Sequence, residues 1–178
     1  MLFTLLSPYI SNSQPFLFST IYANTNPSIK NHLWLKLYQF DLSLYPWRVV
    51  GDFNCILDAQ DKKGGLEFKV NQPIRAFRSF IVDTNLIDLG YNGSKFTWCN
   101  NRKATKESLL DLIYVLLIRL GCTSMVKHLT RNASDHNPLL LELNPKGSIR
   151  NKLFKFQNFW TSYNESFTIV QDSWPKTF

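Results

Sequence analysis

Short apolar runs that end in polar residues are the feature that most constrains this fold. The clearest is WRVVGDFNCILD, residues 47–58. Its strand-forming residues stop at Gly51, and Asp52 and Asn54 follow two positions apart. In an extended chain, this spacing puts both polar side chains on one face and Phe53 on the other. A carboxylate and an amide at a strand end indicate either a turn or half of a catalytic site.

The remaining apolar patterns predict a mixture of strands and helices. The run at residues 16–23 predicts a buried strand, and the spacing of apolar residues in 29–40 and 71–90 predicts two helices. Asn92–Gly93 favours a tight hairpin turn before a strand at KFTWC. The run ESLLDLIYVLLI, residues 107–118, fits a buried strand or a helix equally well.

Composition restricts the class of protein. The 178 residues are 44% hydrophobic, which favours one folded domain over a disordered chain. The formal net charge of +7 favours a polyanionic partner, with nucleic acid first and an anionic membrane second. A soluble basic protein with neither partner also fits this charge. The three cysteines form no CxxC pair, which argues against a zinc site and favours an intracellular protein with reduced thiols.

The apolar runs are too short for targeting or membrane insertion. The first run ends by Pro8, and LLDLIYVLLI has ten residues with an aspartate inside. A membrane span needs about 20 apolar residues. We therefore expect neither a signal peptide nor a transmembrane segment.

A second polar cluster, Ser134, Asp135 and His136, precedes an apolar run at residues 139–143. An acid beside a histidine can orient the ring and favour its protonated form. Phosphodiester hydrolysis uses a carboxylate to activate water, a divalent metal to offset phosphate charge and an imidazolium to stabilise the oxyanion. Each cluster alone is typical of a structural turn, but the two together indicate this chemistry. The sequence has no G-x-S-x-G elbow and no Walker phosphate loop.

Several motifs resemble one family in order along the chain. They are FLFSTIYANTNPSIKNHLWLKL, WRVVGDFNCILDAQDKKGG, LIDLGYNGSKFTWCNNR and SDHNPLLLEL. They resemble the endonuclease domain of plant LINE-type (non-LTR) retrotransposons, within the endonuclease/exonuclease/phosphatase (DNase-I-like) superfamily. GDFN occurs across that superfamily, whereas FTWCNNR and the tail KLFKFQNFWTSYNESFTIVQDSW are more particular to retroelements. The tail resembles the segment that leads to the reverse transcriptase.

The resemblance implies an α/β (α+β) fold of the DNase-I-like type. This fold is a four-layer sandwich of two packed β-sheets flanked by helices, here expected to be incomplete at the N-terminus. We expect an atypical segment at residues 1–15, a partial endonuclease domain at 16–144, and a linker with an aromatic tail at 145–178.

The resemblance also implies catalytic roles for four residues. Asp52 corresponds to the carboxylate that activates water, and Asn54 to the amide that supports the phosphate. His136 corresponds to the oxyanion stabiliser or acid, and Asp135 to the residue that orients it.

Four further residues match substrate-binding positions of the family. Tyr22 corresponds to a tyrosine near the phosphate, Thr97 to a threonine beside the DNA, and Ser134 precedes the Asp-His pair. Asp111 corresponds to the acid of an RLDR strand. Leu109 and Leu112 replace the arginines of that strand, which predicts a weaker hold on DNA.

The implied cofactor is Mg²⁺, and the implied partners are DNA and, in the parent element, a reverse transcriptase domain in the nucleus. The family holds Mg²⁺ with a glutamate upstream of the tyrosine strand, but residues 1–21 contain no Asp or Glu. Asp135 is then the candidate metal ligand that remains. We therefore expect a fragment of a DNA-nicking endonuclease with impaired activity. A non-catalytic nucleic-acid-binding remnant and another superfamily phosphodiesterase or phosphatase are the alternatives.

Overall fold

The computed structural model describes residues 2–7, 15–40, 45–102, 106–117 and 124–143, together with residues 160, 161, 163 and 168. The helices of the described residues are α1 (Pro27–Leu37) and α2 (Gln72–Asp83), with a short 3-10 helix at Ala59–Asp61. The strands are β1 (Leu2–Ser7), β2 (Phe16–Tyr22), β3 (Trp47–Asp52), β4 (Lys62–Gly64), β5 (Ile87–Asp88), β6 (Asn92–Gly93), β7 (Trp98–Cys99), β8 (Ser108–Leu110), β9 (Ile113–Leu117), β10 (Ser124–His128) and β11 (Leu139–Leu143).

These strands form three sheets. The largest has the order β1-β2-β3-β9-β5, in which β2 and β3 run parallel and the other neighbours pair antiparallel. The second has the order β11-β10-β6, and the third β4-β8-β7. The strand expected at residues 16–23 is thus confirmed as β2, and the strand preceding Asp52 as β3.

Both helices cover one face of the large sheet. Trp47 of β3 is fully buried on this face, beneath a stack of aromatic rings. Phe77 of α2 lies at the centre of the stack, with ring centroids 5.2 Å from Trp34 and 4.8 Å from Phe53. Each helix begins at an asparagine cap, Asn26 or Asn71, whose side chain accepts a backbone N–H of the first turn.

The opposite face of the large sheet packs against the second sheet. Val50 of β3 and Val115 of β9 contact Val126 of β10 in a separate buried cluster. Alternate residues of β3 therefore serve two cores, because neighbouring side chains point to opposite faces of a strand. The result is a helix layer, a large sheet and a second sheet.

The structure resolves one ambiguous sequence pattern and differs from the prediction at two others. The run at 107–118 forms two strands, β8 and β9, with Asp111 and Leu112 between them; its last residue lies outside the described residues. The hairpin turn expected at Asn92–Gly93 is wrong, because these residues pair in parallel with Lys127 and His128. The helix expected up to residue 90 ends at Asp83.

The C-terminal segment is described only in part. Of the linker and aromatic tail expected at residues 145–178, residues 145–159 lie outside the described residues, so this assignment stays a prediction. In the aromatic tail, Trp160 and Tyr163 pack against the core beneath the helices. Neither helix of the described residues has the length and hydrophobicity required to cross a membrane.

Candidate active site

Gly51 controls how β3 reaches the site. Its φ of 142° is in a region that residues with a side chain rarely adopt. A Cβ built on Gly51 would overlap the carbonyl oxygen of Ile21 on the neighbouring strand. Glycine thus permits β2 and β3 to pair up to their last residues, where Tyr22 lies opposite Asp52.

The Asp52 carboxylate is held by the residues that follow it. Asn54 takes a left-handed conformation, with φ 46°, and its backbone N donates to Asp52 Oδ1 at 2.8 Å. Its side-chain Nδ2 donates to Asp52 Oδ2 at 3.2 Å and to the Ala23 carbonyl at 2.8 Å. Phe53, between the two, is fully buried in the aromatic core. The polar pair is therefore a turn that also presents a carboxylate.

His136 approaches this carboxylate from the second sheet. It lies in the loop between β10 and β11, and its Nε2 is 3.9 Å from Asp52 Oδ2. The His136 side chain is 30% exposed, so an incoming molecule can reach it. The Ser134 hydroxyl accepts the backbone N–H of His136 at 3.1 Å, and a β-bridge joins His136 to Trp98. The fold thus brings together Asp52 and His136, which are far apart in the sequence.

Two buried charges set the electrostatics of the site. Burial raises the pKa of Asp52, while the Asn54 backbone N–H, His136 and Lys30 oppose that shift. Burial also lowers the pKa of Lys30, against the attraction of Cys55 and Asp52. A carboxylate with a raised pKa is a better proton acceptor than an exposed one, as general-base catalysis requires.

Asp135 makes a different contact from the one expected. Its Oδ2 accepts the indole Nε1–H of Trp98 at 3.0 Å, and its backbone carbonyl accepts the N–H of Cys99 at 2.9 Å. The acid that faces the His136 ring is Asp52. The role of Asp135 in orienting His136 stays a prediction, and its observed contacts fix the loop that carries His136.

Thr97 and Asp111 lie inside the protein rather than at its surface. The Thr97 hydroxyl donates to Asp111 Oδ1 at 3.2 Å and accepts the backbone N–H groups of Leu112 and Ile113. Both side chains are almost completely buried. The substrate-binding roles expected for Thr97 and Asp111 stay predictions. Both residues support the strands beneath the site.

Tyr22 and Lys30 flank the carboxylate on the strand and helix side. Tyr22 is 63% exposed at the end of β2, next to Asp52 in register. Lys30 is buried, and its Nζ donates to the Asn54 carbonyl at 2.6 Å. Sequence reasoning missed Lys30. The signal was its spacing, because Lys30, Trp34 and Leu37 share the buried face of α1.

The donor set does not fit a Mg²⁺ site. Magnesium prefers oxygen ligands in a near-octahedral array. Both oxygens of Asp52 accept bonds from Asn54, and Asp135 Oδ2 accepts one from Trp98. Within the described ranges, no group of three or more His, Cys, Asp or Glu side chains is arranged to hold a metal ion.

Comparison with known proteins identifies the fold. No protein-family model and no curated protein matches the sequence. The structure is similar to the endonuclease domain of TRAS1, a telomere-specific non-LTR retrotransposon, with a TM-score of 0.53. The two chains are 12% identical, over 82% of this chain and 70% of that one. The chain has the DNase-I-like fold.

Two other solved structures are also similar. One is an endonuclease/exonuclease/phosphatase family protein from Leptotrichia buccalis C-1013-b, with TM-score 0.49, 16% identity, and coverage of 80% of this chain and 53% of that one. The other is a functionally unknown conserved protein from Enterococcus faecalis V583, with TM-score 0.48, 19% identity, and coverage of 80% and 55%. The chain spans about half the length of each.

Proposed function

We propose that this chain carries the Asp52–His136 part of a DNA phosphodiesterase site, from an endonuclease of the non-LTR retrotransposon type. The observation that carries the proposal is the 3.9 Å approach of His136 Nε2 to Asp52 Oδ2. The DNase-I-like fold and the structural similarity to the endonuclease domain of TRAS1, a non-LTR retrotransposon, support it. In the parent element, we propose a nuclear protein that acts with a reverse transcriptase domain.

The geometry supports hydrolysis by these two side chains. Asp52 accepts a proton from water, whose oxygen forms a new bond to phosphorus while one ester P–O bond breaks. His136 donates a hydrogen bond to the developing oxyanion, or its proton to the leaving oxygen. Asn54 fixes the carboxylate through its two bonds to Asp52. The exposed Tyr22 lies beside Asp52, where a phosphate would enter.

The expected activity of the 178-residue chain is low. In metal-dependent phosphodiesterases, Mg²⁺ supplies charge neutralisation worth several kcal/mol, or about three decades in rate. The described residues do not offer a fitting donor set for this ion. We therefore propose a slow, Asp52-dependent reaction.

A non-catalytic nucleic-acid-binding role is the second candidate. The net charge of +7 favours this role, and so does the poor fit of the described side chains to a metal ion. Such a protein would bind DNA through its Lys and Arg residues whether or not Asp52 is intact.

A plasmid-nicking assay with Mg²⁺ separates the two functions. We would compare the wild-type chain with Asp52→Ala and His136→Ala. The control is Glu67→Gln, which changes an exposed side chain outside the site. Slow nicking that is lost in both site variants and kept in the control supports the phosphodiesterase. DNA binding with no Asp52-dependent nicking supports the non-catalytic role. Fast nicking that Asp52→Ala abolishes would contradict the expected low activity.

A further inference from the structure

Lys30 occupies a position that is unfavourable for a charged side chain. It lies one turn into α1, and only 3% of it is exposed. Burial disfavours an ammonium ion, and the positive end of a helix dipole disfavours it further. Trp34 and Leu37, which share this buried face, are apolar. Interactions at the Lys30 head group must therefore offset these costs.

The Lys30 head group contacts the loop at residues 52–54, which carries Asp52 and Asn54. Its Nζ donates to the Asn54 carbonyl at 2.6 Å, a short charge-assisted bond. Asn54 is the residue with a left-handed backbone whose two N–H groups hold Asp52. Lys30 also attracts the negative charge on Asp52. One ammonium thus acts on both the shape and the charge of the loop.

We propose that Lys30 is the positioning residue of this site, holding Asn54 in the conformation that orients the Asp52 carboxylate. This role rests on the proposed function. Lys30 does not touch substrate, since it is buried behind the loop. Removing its charge leaves the Asn54 carbonyl without its ammonium partner and frees the loop to leave the left-handed conformation.

Nuclear magnetic resonance of the whole chain tests this role without an activity assay. The variant is Lys30→Met, which keeps the length of the side chain, and the control is Lys36→Met, an exposed lysine of the same helix. In Lys30→Met, the Asn54 backbone amide should exchange with solvent about tenfold faster, as expected for losing one charge-assisted bond. The Asp52 carboxyl should titrate at higher pH than in wild type. Lys36→Met should leave both signals unchanged, and Lys30→Arg should restore the Asp52 titration.

Other charges near Asp52 remain in every variant. They are His136 and Asp135 on the β10–β11 loop, whereas the nearby Cys55 thiol is neutral at neutral pH because burial raises its pKa to about 11. If Lys30→Met does not fold, Lys30→Gln provides the test, because it removes the charge behind Asn54 while keeping a polar side chain, and the Asp52 carboxyl should again titrate at higher pH than in wild type. An unchanged Asn54 signal and an unchanged Asp52 titration would overturn the role of Lys30.

Nicking rates then separate the two proposals. If the wild-type chain shows Asp52-dependent nicking, Lys30→Met should lower kcat and move the acid limb of the pH profile to higher pH, whereas Lys36→Met should do neither. An unchanged rate and profile would overturn the positioning role alone. Absence of Asp52-dependent nicking in wild type would overturn the phosphodiesterase, while the resonance measurements still decide whether Lys30 positions the loop.

Discussion

Replacing Gly51 with alanine should destabilise the domain by about 2–5 kcal/mol. The left-handed backbone of Gly51 is a strained conformation for alanine, at a cost of roughly 1–3 kcal/mol. The new Cβ would also overlap the Ile21 carbonyl, so β2 and β3 must separate and lose one or two hydrogen bonds of about 1 kcal/mol each. Because a domain has only about 5–15 kcal/mol of stability, this is a large fraction of the total.

Urea denaturation, with Gly65→Ala as the matched control, checks this estimate. Gly65 also has a positive φ, 67°, but its Cβ would meet the movable Ser108 side chain at 3.0 Å in an exposed bend after β4. The control should therefore lose only the conformational term of about 1–2 kcal/mol. Equal losses in the two variants would refute the argument that close approach of β2 and β3 requires glycine at position 51.

Three further outcomes are expected. Asp52→Asn should gain stability relative to wild type as pH rises above about 4, because the raised folded-state pKa of Asp52 makes the wild type less stable over that range. Urea denaturation at several pH values measures the stability difference between the two proteins, and a difference that does not change with pH would contradict the prediction. Phe77→Ala should cost about 3–5 kcal/mol, whereas the exposed control Leu66→Ala should stay within about 0.5 kcal/mol; thermal denaturation compares them, and equal small losses would contradict the aromatic core. Affinity for a labelled DNA duplex should fall at least about tenfold between 50 and 200 mM salt, because lysine and arginine contacts release counterions. Anisotropy titrations measure this affinity, and an affinity that does not depend on salt would count against a nucleic-acid partner.

Local features of the sequence were sufficient for the helices, for strands β2 and β3, and for the turn at Asp52–Asn54. The helices at residues 29–40 and 71–90 were visible because apolar residues recur at helical spacing, although the second ends earlier, at Asp83. The turn after β3 depends on Asp52 and Asn54, which bond to each other over two residues. Interactions this short in sequence do not depend on the rest of the fold.

Tertiary structure decided the features that join distant segments. The run at residues 107–118 became two strands because Lys62–Gly64 pairs with one part of it and β3 with the other. Thr97 is buried where its hydroxyl accepts the backbone N–H groups of Leu112 and Ile113, at the start of β9, and no local pattern distinguishes that position from a surface one.

The candidate site itself also required the tertiary structure. Asp52 and His136 meet because two sheets pack face to face, and Lys30 reaches Asn54 because α1 lies over the end of β3. Sequence periodicity reports which side of an element is buried, but it does not contain the register between strands or the packing of sheets. The sequence by itself therefore identified Asp52 and His136 as members of one site, and only the fold determined the 3.9 Å distance between them and the position of Lys30 behind them.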